Sequence, residues 1–136
     1  MSKSDYLELQ VLDAVLGAVA YAAPATVYFA LYSATPSDAG GGTELEATGS
    51  PGYTRVAVTN SAVNFPAAAA GAKTVGTAVT WPVNSGAAAW AAAVAWGVLD
   101  ASTGGNLLLW GPMVSLACPV AQAITIPAGT TVWTEE

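Results

Sequence analysis

Thr26-Val27-Tyr28-Phe29-Ala30-Leu31-Tyr32 decides the fold. Its β-branched and aromatic residues suit a pleated, packed chain. Apolar side chains fall on both alternating faces, so the run predicts a strand buried on both sides. Pro24 stands just upstream and divides it from a segment of a different period. Across residues 4–21, Leu9, Leu12, Leu16 and Val19 recur every three or four positions and make one apolar stripe, the mark of an amphipathic helix. Ser2 and Ser4 are both candidate caps, and Ser2-Lys3-Ser4-Asp5 loosely fits a capping box. Asp5 and Glu8 lie in the first turn, where the positive end of the helix dipole favours acids. Gly17 weakens the middle of this helix, and Pro24 ends it.

Downstream of the decisive strand, residues 33–52 hold Pro36, Asp38, Gly40, Gly41, Gly42, Gly49, Pro51 and Gly52. They predict a long loop, a class of segment that is often functional or mobile. Further strands are expected over residues 53–59, 75–81, 91–99, 106–110, 113–118, 121–126 and 130–133. Asp100-Ala-Ser-Thr-Gly-Gly105 turns one of them into the next as a hairpin. The alanine-rich tract at 87–95 favours helix by propensity, but Trp90, Val94, Trp96 and Val98 fall on alternate positions and place it in a strand. Seven or eight short strands with turn signals between them, and one helix, predict a mainly β chain folded as an antiparallel β-sandwich. No linker divides the sequence. It reads as a single domain over 1–136, with the helix in 1–23 and the sandwich in 24–136.

Composition removes most function classes. The chain has 136 residues, 54% apolar and only 9% charged, with a net charge of −6; a soluble average is about a quarter charged. Three scattered cations, Lys3, Arg55 and Lys73, cannot neutralise a run of phosphates, so nucleic acid is not an expected partner. Histidine is absent and Cys118 is the lone cysteine, which leaves no His-based triad, no His or Cys-rich metal site and no intrachain disulfide. Residues 11–34 are apolar enough to test as a membrane span, but Asp13 and Pro24 interrupt them and no membrane is expected. A surface this poor in charge is either carried by small polar residues or covered by other chains.

The remaining constellations are weak as chemistry. Asp38, Glu44 and Glu46 sit in the Gly-rich loop without the spacing of a calcium loop or the rigid cleft of a glycosidase pair. Asp38-Ala-Gly-Gly-Gly-Thr-Glu44 lacks the Gly-Lys-Ser/Thr ending of a phosphate loop, and its glycines suit a compact turn. Without histidine a serine or threonine nucleophile would need a lysine base, so no catalytic residue and no cofactor is expected. Five tryptophans, each in or beside an expected strand, supply core area by default, and any surplus would anchor an interface.

Several blocks are similar to a family of small bacteriophage virion proteins: ATVYFALYSATPSDAGGGTELE (25–46), GYTRVAVT (52–59), NFPAA (64–68), GVLDASTGGNLLLW (97–110) and IPAGTTV (126–132). Members are generally labelled tail fibre or minor structural proteins. The resemblance implies a non-enzymatic virion protein, assembled in the host cytoplasm, with other virion proteins as partners. From the residues, a small β-rich subunit with few charges and a long loop suits a capsid decoration (cement) protein that bridges subunits of the major capsid protein as a homo-oligomer. The alternative is a tail-tip or tail-fibre-associated module with tail proteins as partners. Contact is expected through the helix, at Leu12 and Leu16, and through the loop, at Pro36, Asp38, Glu44 and Glu46. Deletion of 38–46 is expected to spare the fold. Arg55, the one cation on an expected strand, calls for a carboxylate, either Glu46 or one across an interface.

Overall fold

The computed structural model describes residues 2–130 and 132–134. From the N-terminus the chain runs through β1 (Ser2–Lys3), α1 (Asp5–Leu16), β2 (Thr26–Ala34), β3 (Thr43–Glu44) and β4 (Val56–Thr59). It continues through β5 (Ala72–Thr74), β6 (Val79–Thr80), β7 (Ala93–Leu99), β8 (Leu107–Leu116), β9 (Thr125–Ile126) and β10 (Val132–Thr134). The chain is mainly β and every pairing is antiparallel.

β2 is paired on both edges, with β7 on one side and with β4 and then β3 on the other. β8 follows β7, and β1 lies beyond it. The two-residue period of a strand then sorts the side chains. Val27, Phe29 and Leu31 of β2 share the main core with Trp96 and Val98 of β7 and Leu108 of β8. Ala30, Tyr32, Ala95, Leu99 and Leu107 make a smaller cluster of their own. Two short ribbons, β5 with β10 and β6 with β9, bring Val79, Ile126 and Trp133 into the main core beside Val75, Trp81 and Ile124. The sandwich therefore has one full sheet and one thin layer of ribbons. Trp96 meets Trp133 edge-on at 5.7 Å, and Phe29 stacks on Phe65 at 6.4 Å. Trp81, Trp90, Trp96 and Trp133 are all buried; truncating a core tryptophan costs about 3–5 kcal/mol.

The structure corrects several expected boundaries. The helix stops at Leu16, not Tyr21: the Gly17 and Val19 N–H groups both donate to the Asp13 carbonyl, at 2.9 and 3.2 Å, and Ala18 turns left-handed with φ 52°. Ser4 is the cap, and Ser2 belongs to β1, so no capping box forms. Tyr53, Thr54 and Arg55 precede β4 as irregular chain. Of the strand expected over 75–81 only Val79 and Thr80 form one, β6; β5 lies before it at Ala72–Thr74, and between them the Gly76 N–H donates to the Asn64 carbonyl. The strands expected at 106–110 and 113–118 are one strand, β8, which passes through Pro112 beyond the reach of β1, where one edge is unpaired and sheets tolerate proline. The β7–β8 ladder slips between Ala93 and Ala95, so Ala93 joins Trp96 in the main core and Val94 is left half-buried. Of residues 121–126 only Thr125 and Ile126 form a strand.

Candidate functional site

The Gly-rich segment is a folded excursion rather than a free loop. Ser37 and Gly40 exchange backbone hydrogen bonds, at 3.0 and 2.8 Å, and the Leu45 N–H donates to the Leu31 carbonyl at 2.9 Å, placing Leu45 in the main core. Gly42 has φ 79°, and a Cβ there would stand 2.7 Å from the Ala34 carbonyl oxygen and 2.8 Å from the Pro36 nitrogen. Only glycine fits both the torsion and the space.

Arg55 fastens this excursion to the rest of the sheet. Its Nε and Nη2 donate to the two carboxylate oxygens of Glu44 at 2.8 and 2.7 Å, while Nη1 donates to the carbonyls of Ala101 and Gly104 in the β7–β8 turn at 2.7 and 2.8 Å. The fork geometry of guanidinium matches a carboxylate in this way. The side chains are 9% and 23% exposed, so water screens the pair little. Its bond to Glu44 holds the Arg55 guanidinium above its ordinary pKa, against the opposing cost of burial. The Tyr53 hydroxyl completes the cluster: it accepts the Leu31 N–H at 3.0 Å and donates to Glu44 at 3.2 Å. Burial, and then the Glu44 charge, push that phenol well above its usual range.

The expected partner Glu46 is therefore corrected to Glu44. Glu46 is exposed, and its carbonyl instead accepts the Gly49 and Ser50 N–H groups at 3.1 and 2.7 Å. Pro36 is buried, packed under Gly42, and presents no outer contact surface. Asp38 is exposed but engaged: its carboxylate accepts the Trp110 indole N–H at 3.0 Å, and its carbonyl accepts the Asp5 N–H at 2.8 Å. Hydrogen bonds from Ser2 and then from Trp110 hold this carboxyl below its ordinary value. Asp38, Glu44 and Arg55 line one cleft of about 490 Å³ with Tyr6, Tyr32 and Asn106. Its strongest donors and acceptors are spent inside the chain, and the cluster braces the excursion to the β7–β8 turn. Deleting 38–46 would remove Glu44 and Leu45 and with them part of the core, contrary to the expectation that the fold would survive. Tyr53 was missed from sequence because nothing local marks a tyrosine whose partner is a backbone N–H 22 residues away.

α1 offers a different kind of surface. The buried Ser4 ties its start to β8: its N–H donates to the Leu108 carbonyl at 2.9 Å, its hydroxyl donates to the Leu107 carbonyl, and the same oxygen accepts the Leu7 N–H at 3.3 Å. Tyr6 and Leu7 pack against the main core. Beyond that first turn and a half the helix leaves the body, and every residue from 11 to 20 is exposed. Leu12 is 55%, Val15 72% and Leu16 83% exposed, with Leu9 and Val19 beside them. At the base of the helix an apolar groove of about 630 Å³ opens between Leu7 and Val11 on one wall and Phe65, Leu108 and Trp133 on the others. Among the described residues its charged liners are Lys3 and Lys73.

Among the described residues no three His, Cys, Asp or Glu side chains gather in a way that could hold a metal ion. No helix there is long and apolar enough to cross a membrane. The buried Cys118 thiol donates to the Gln122 carbonyl at 3.2 Å, and burial raises its pKa. Nothing among curated proteins matches the chain. A family model described as podophage GP4 fiber I protein gp80 matches residues 2–134. With the match running from β1 to β10, the chain belongs to the podophage fiber I gp80 family and is a structural protein of the phage virion.

Proposed function

We propose that the protein is a non-catalytic subunit of the fibre apparatus of the particle and that it joins other virion proteins through the exposed half of α1. The observation that carries this reading is a fibre-family match spanning almost the whole chain. The geometry adds a reason: α1 holds a row of large apolar side chains in water, and burying each of them fully would contribute about 1.5–3 kcal/mol. A helix of this length is marginal alone, and partner contact would stabilise it further.

A head-decoration role rests on small size, a β-rich fold, few charges and a long loop, and those features suit a fibre subunit packed among neighbours equally well. The fibre reading is preferred because the family description names a fibre. Adhesion to glycans through exposed tryptophans has less to draw on, since Trp81, Trp90, Trp96 and Trp133 are buried and Trp110 is half-buried. Imaging intact particles, with quantification of the protein on separated heads and tails, tests the proposal. Retention on tails is expected. Many copies spread over the shell, and none on tails, would overturn it.

A further inference from the structure

We infer that the cleft edged by Asp38, Glu44 and Arg55 binds a neutral saccharide of one or two rings. The inference stands apart from the assembly contact proposed for α1 and holds wherever on the particle the protein sits. It draws on tyrosine, not on the tryptophans.

Tyr32 is the observation that points to a ligand. It is only 5% exposed, and its ring lies so close over Gly97 that a Cβ there would stand 2.8 Å from Tyr32 Cε2. This phenol lines the cleft and lies in the fields of the Glu44 carboxylate and the Arg55 guanidinium. Among the described residues it bonds to neither of them nor to any other group, and its oxygen is not sealed in the interior as the Trp81 and Trp133 indole nitrogens are. A side chain nine-tenths buried thus keeps one donor and its acceptor lone pairs for a group that enters the cleft.

The rest of the lining selects the class. Arg55 spends its donors on Glu44, Ala101 and Gly104, and Asp38 accepts from Trp110. What remains for a guest is chiefly neutral. Tyr6 adds a second phenol. Asn106 gives its amide hydrogens' side to Asp100 at 2.8 Å, which leaves its side-chain oxygen as an acceptor. Gly41 adds bare main chain, with open space where a Cβ would stand, so a guest can approach the backbone closely. Asp5 supplies one further carboxylate. Donors and acceptors spread around the walls suit the hydroxyl groups of a sugar, which point outward from a ring in several directions and both give and accept hydrogen bonds. A cation would meet Arg55, and an anion would meet three carboxylates. Half-buried Tyr6 offers an aromatic face for the apolar C–H side of such a ring. The cleft volume of about 490 Å³ falls within the roughly 300–1,000 Å³ of small-molecule sites.

The test titrates the isotope-labelled full chain with D-glucose, D-galactose, D-mannose, lactose and maltose, and separately with lysine methyl ester as a cationic probe. Saturable shifts of the Gly41 amide and of the Trp110 indole, which is bonded to Asp38 at the cleft, are expected with at least one sugar and not with the cation. Tyr32→Phe should weaken that binding about threefold to tenfold, the worth of one neutral hydrogen bond, with the thermal melt unchanged because the hydroxyl holds no part of the fold. Tyr6→Ala should weaken it as well. No saturable shift with any of these sugars, shifts with lysine methyl ester alone, or sugar binding that Tyr32→Phe leaves intact would each overturn the inference. The fibre assignment would stand in all three cases.

Discussion

Replacing Arg55 with alanine removes four hydrogen bonds at once, two to the Glu44 carboxylate and two to the carbonyls of the β7–β8 turn. Glu44 is left with the Tyr53 hydroxyl and with what water can reach it through a side chain 23% exposed. Breaking a buried ion pair from one side costs about 3–5 kcal/mol. The lower end applies here because Glu44 regains some hydration, so a loss of about 3 kcal/mol is expected. With an unfolding entropy of about 2.1 cal/mol/K per residue, that loss lowers Tm by about 10 °C. Urea titration read by tryptophan fluorescence measures it, since Trp90 sits edge-on to Tyr53 at 5.7 Å and senses this corner. A double-mutant cycle with Glu44→Ala should then give a coupling of at least about 1 kcal/mol. A loss below about 1 kcal/mol, in the range of an exposed pair, or additive single effects, would refute the view that Arg55 braces the loop to the hairpin.

Gly42→Ala should destabilise the fold by at least about 2 kcal/mol, because an L-residue at positive φ is strained and its Cβ meets two backbone atoms; a neutral result in thermal melts would contradict the described turn. Ala18→Gly should do the reverse, stabilising by up to about 1 kcal/mol by relieving the left-handed residue that ends α1; a loss of helicity in circular dichroism would refute the assigned stop. Asp38, held below the ordinary carboxyl value of 3.8, stabilises the fold fully above that pH. Its contribution is lost as pH falls through the lowered value. The Trp110 indole N–H resonance should report a midpoint below 3.8 that disappears in Asp38→Asn, and a midpoint at or above 3.8 would count against it.

Local chemistry made some elements legible. In Thr26–Tyr32 both faces are apolar, and the chain is a central strand for that reason. The turn between β7 and β8 carries Gly104 and Gly105 at positive φ, with Asn106 bonded back to the Asp100 carboxylate, as an Asp…Gly-Gly run suggests. Elsewhere distant partners overruled local pattern. Tyr53-Thr54-Arg55 alternates like a strand, but its phenol and guanidinium are claimed by Leu31, Glu44, Ala101 and Gly104, and the chain leaves the sheet to reach them. Glu44 and Glu46 share parity and flank Leu45, so no pattern separates them; the turn that starts at Glu46 does. The helix stop was readable in principle, since a glycine near a helix end is a common terminator, and Gly17 is the C-cap of α1 rather than a weak point in its interior. The brace was half legible from the need of a buried cation for a carboxylate, while the groove, which draws on most of the chain's length, was not.

Ser4 sets the bearing of α1 before any neighbour arrives. A segment that had to find its direction during capture would surrender rotational and torsional freedom, and the grip would be weaker for it. This outrigger leaves the body already aimed, fixed at one end by hydrogen bonds to β8 and to the 33–52 excursion. Recognition is then a matter of sliding a stiff peg into place, and small errors in that aim would show as misassembled particles well before they showed as an unfolded chain.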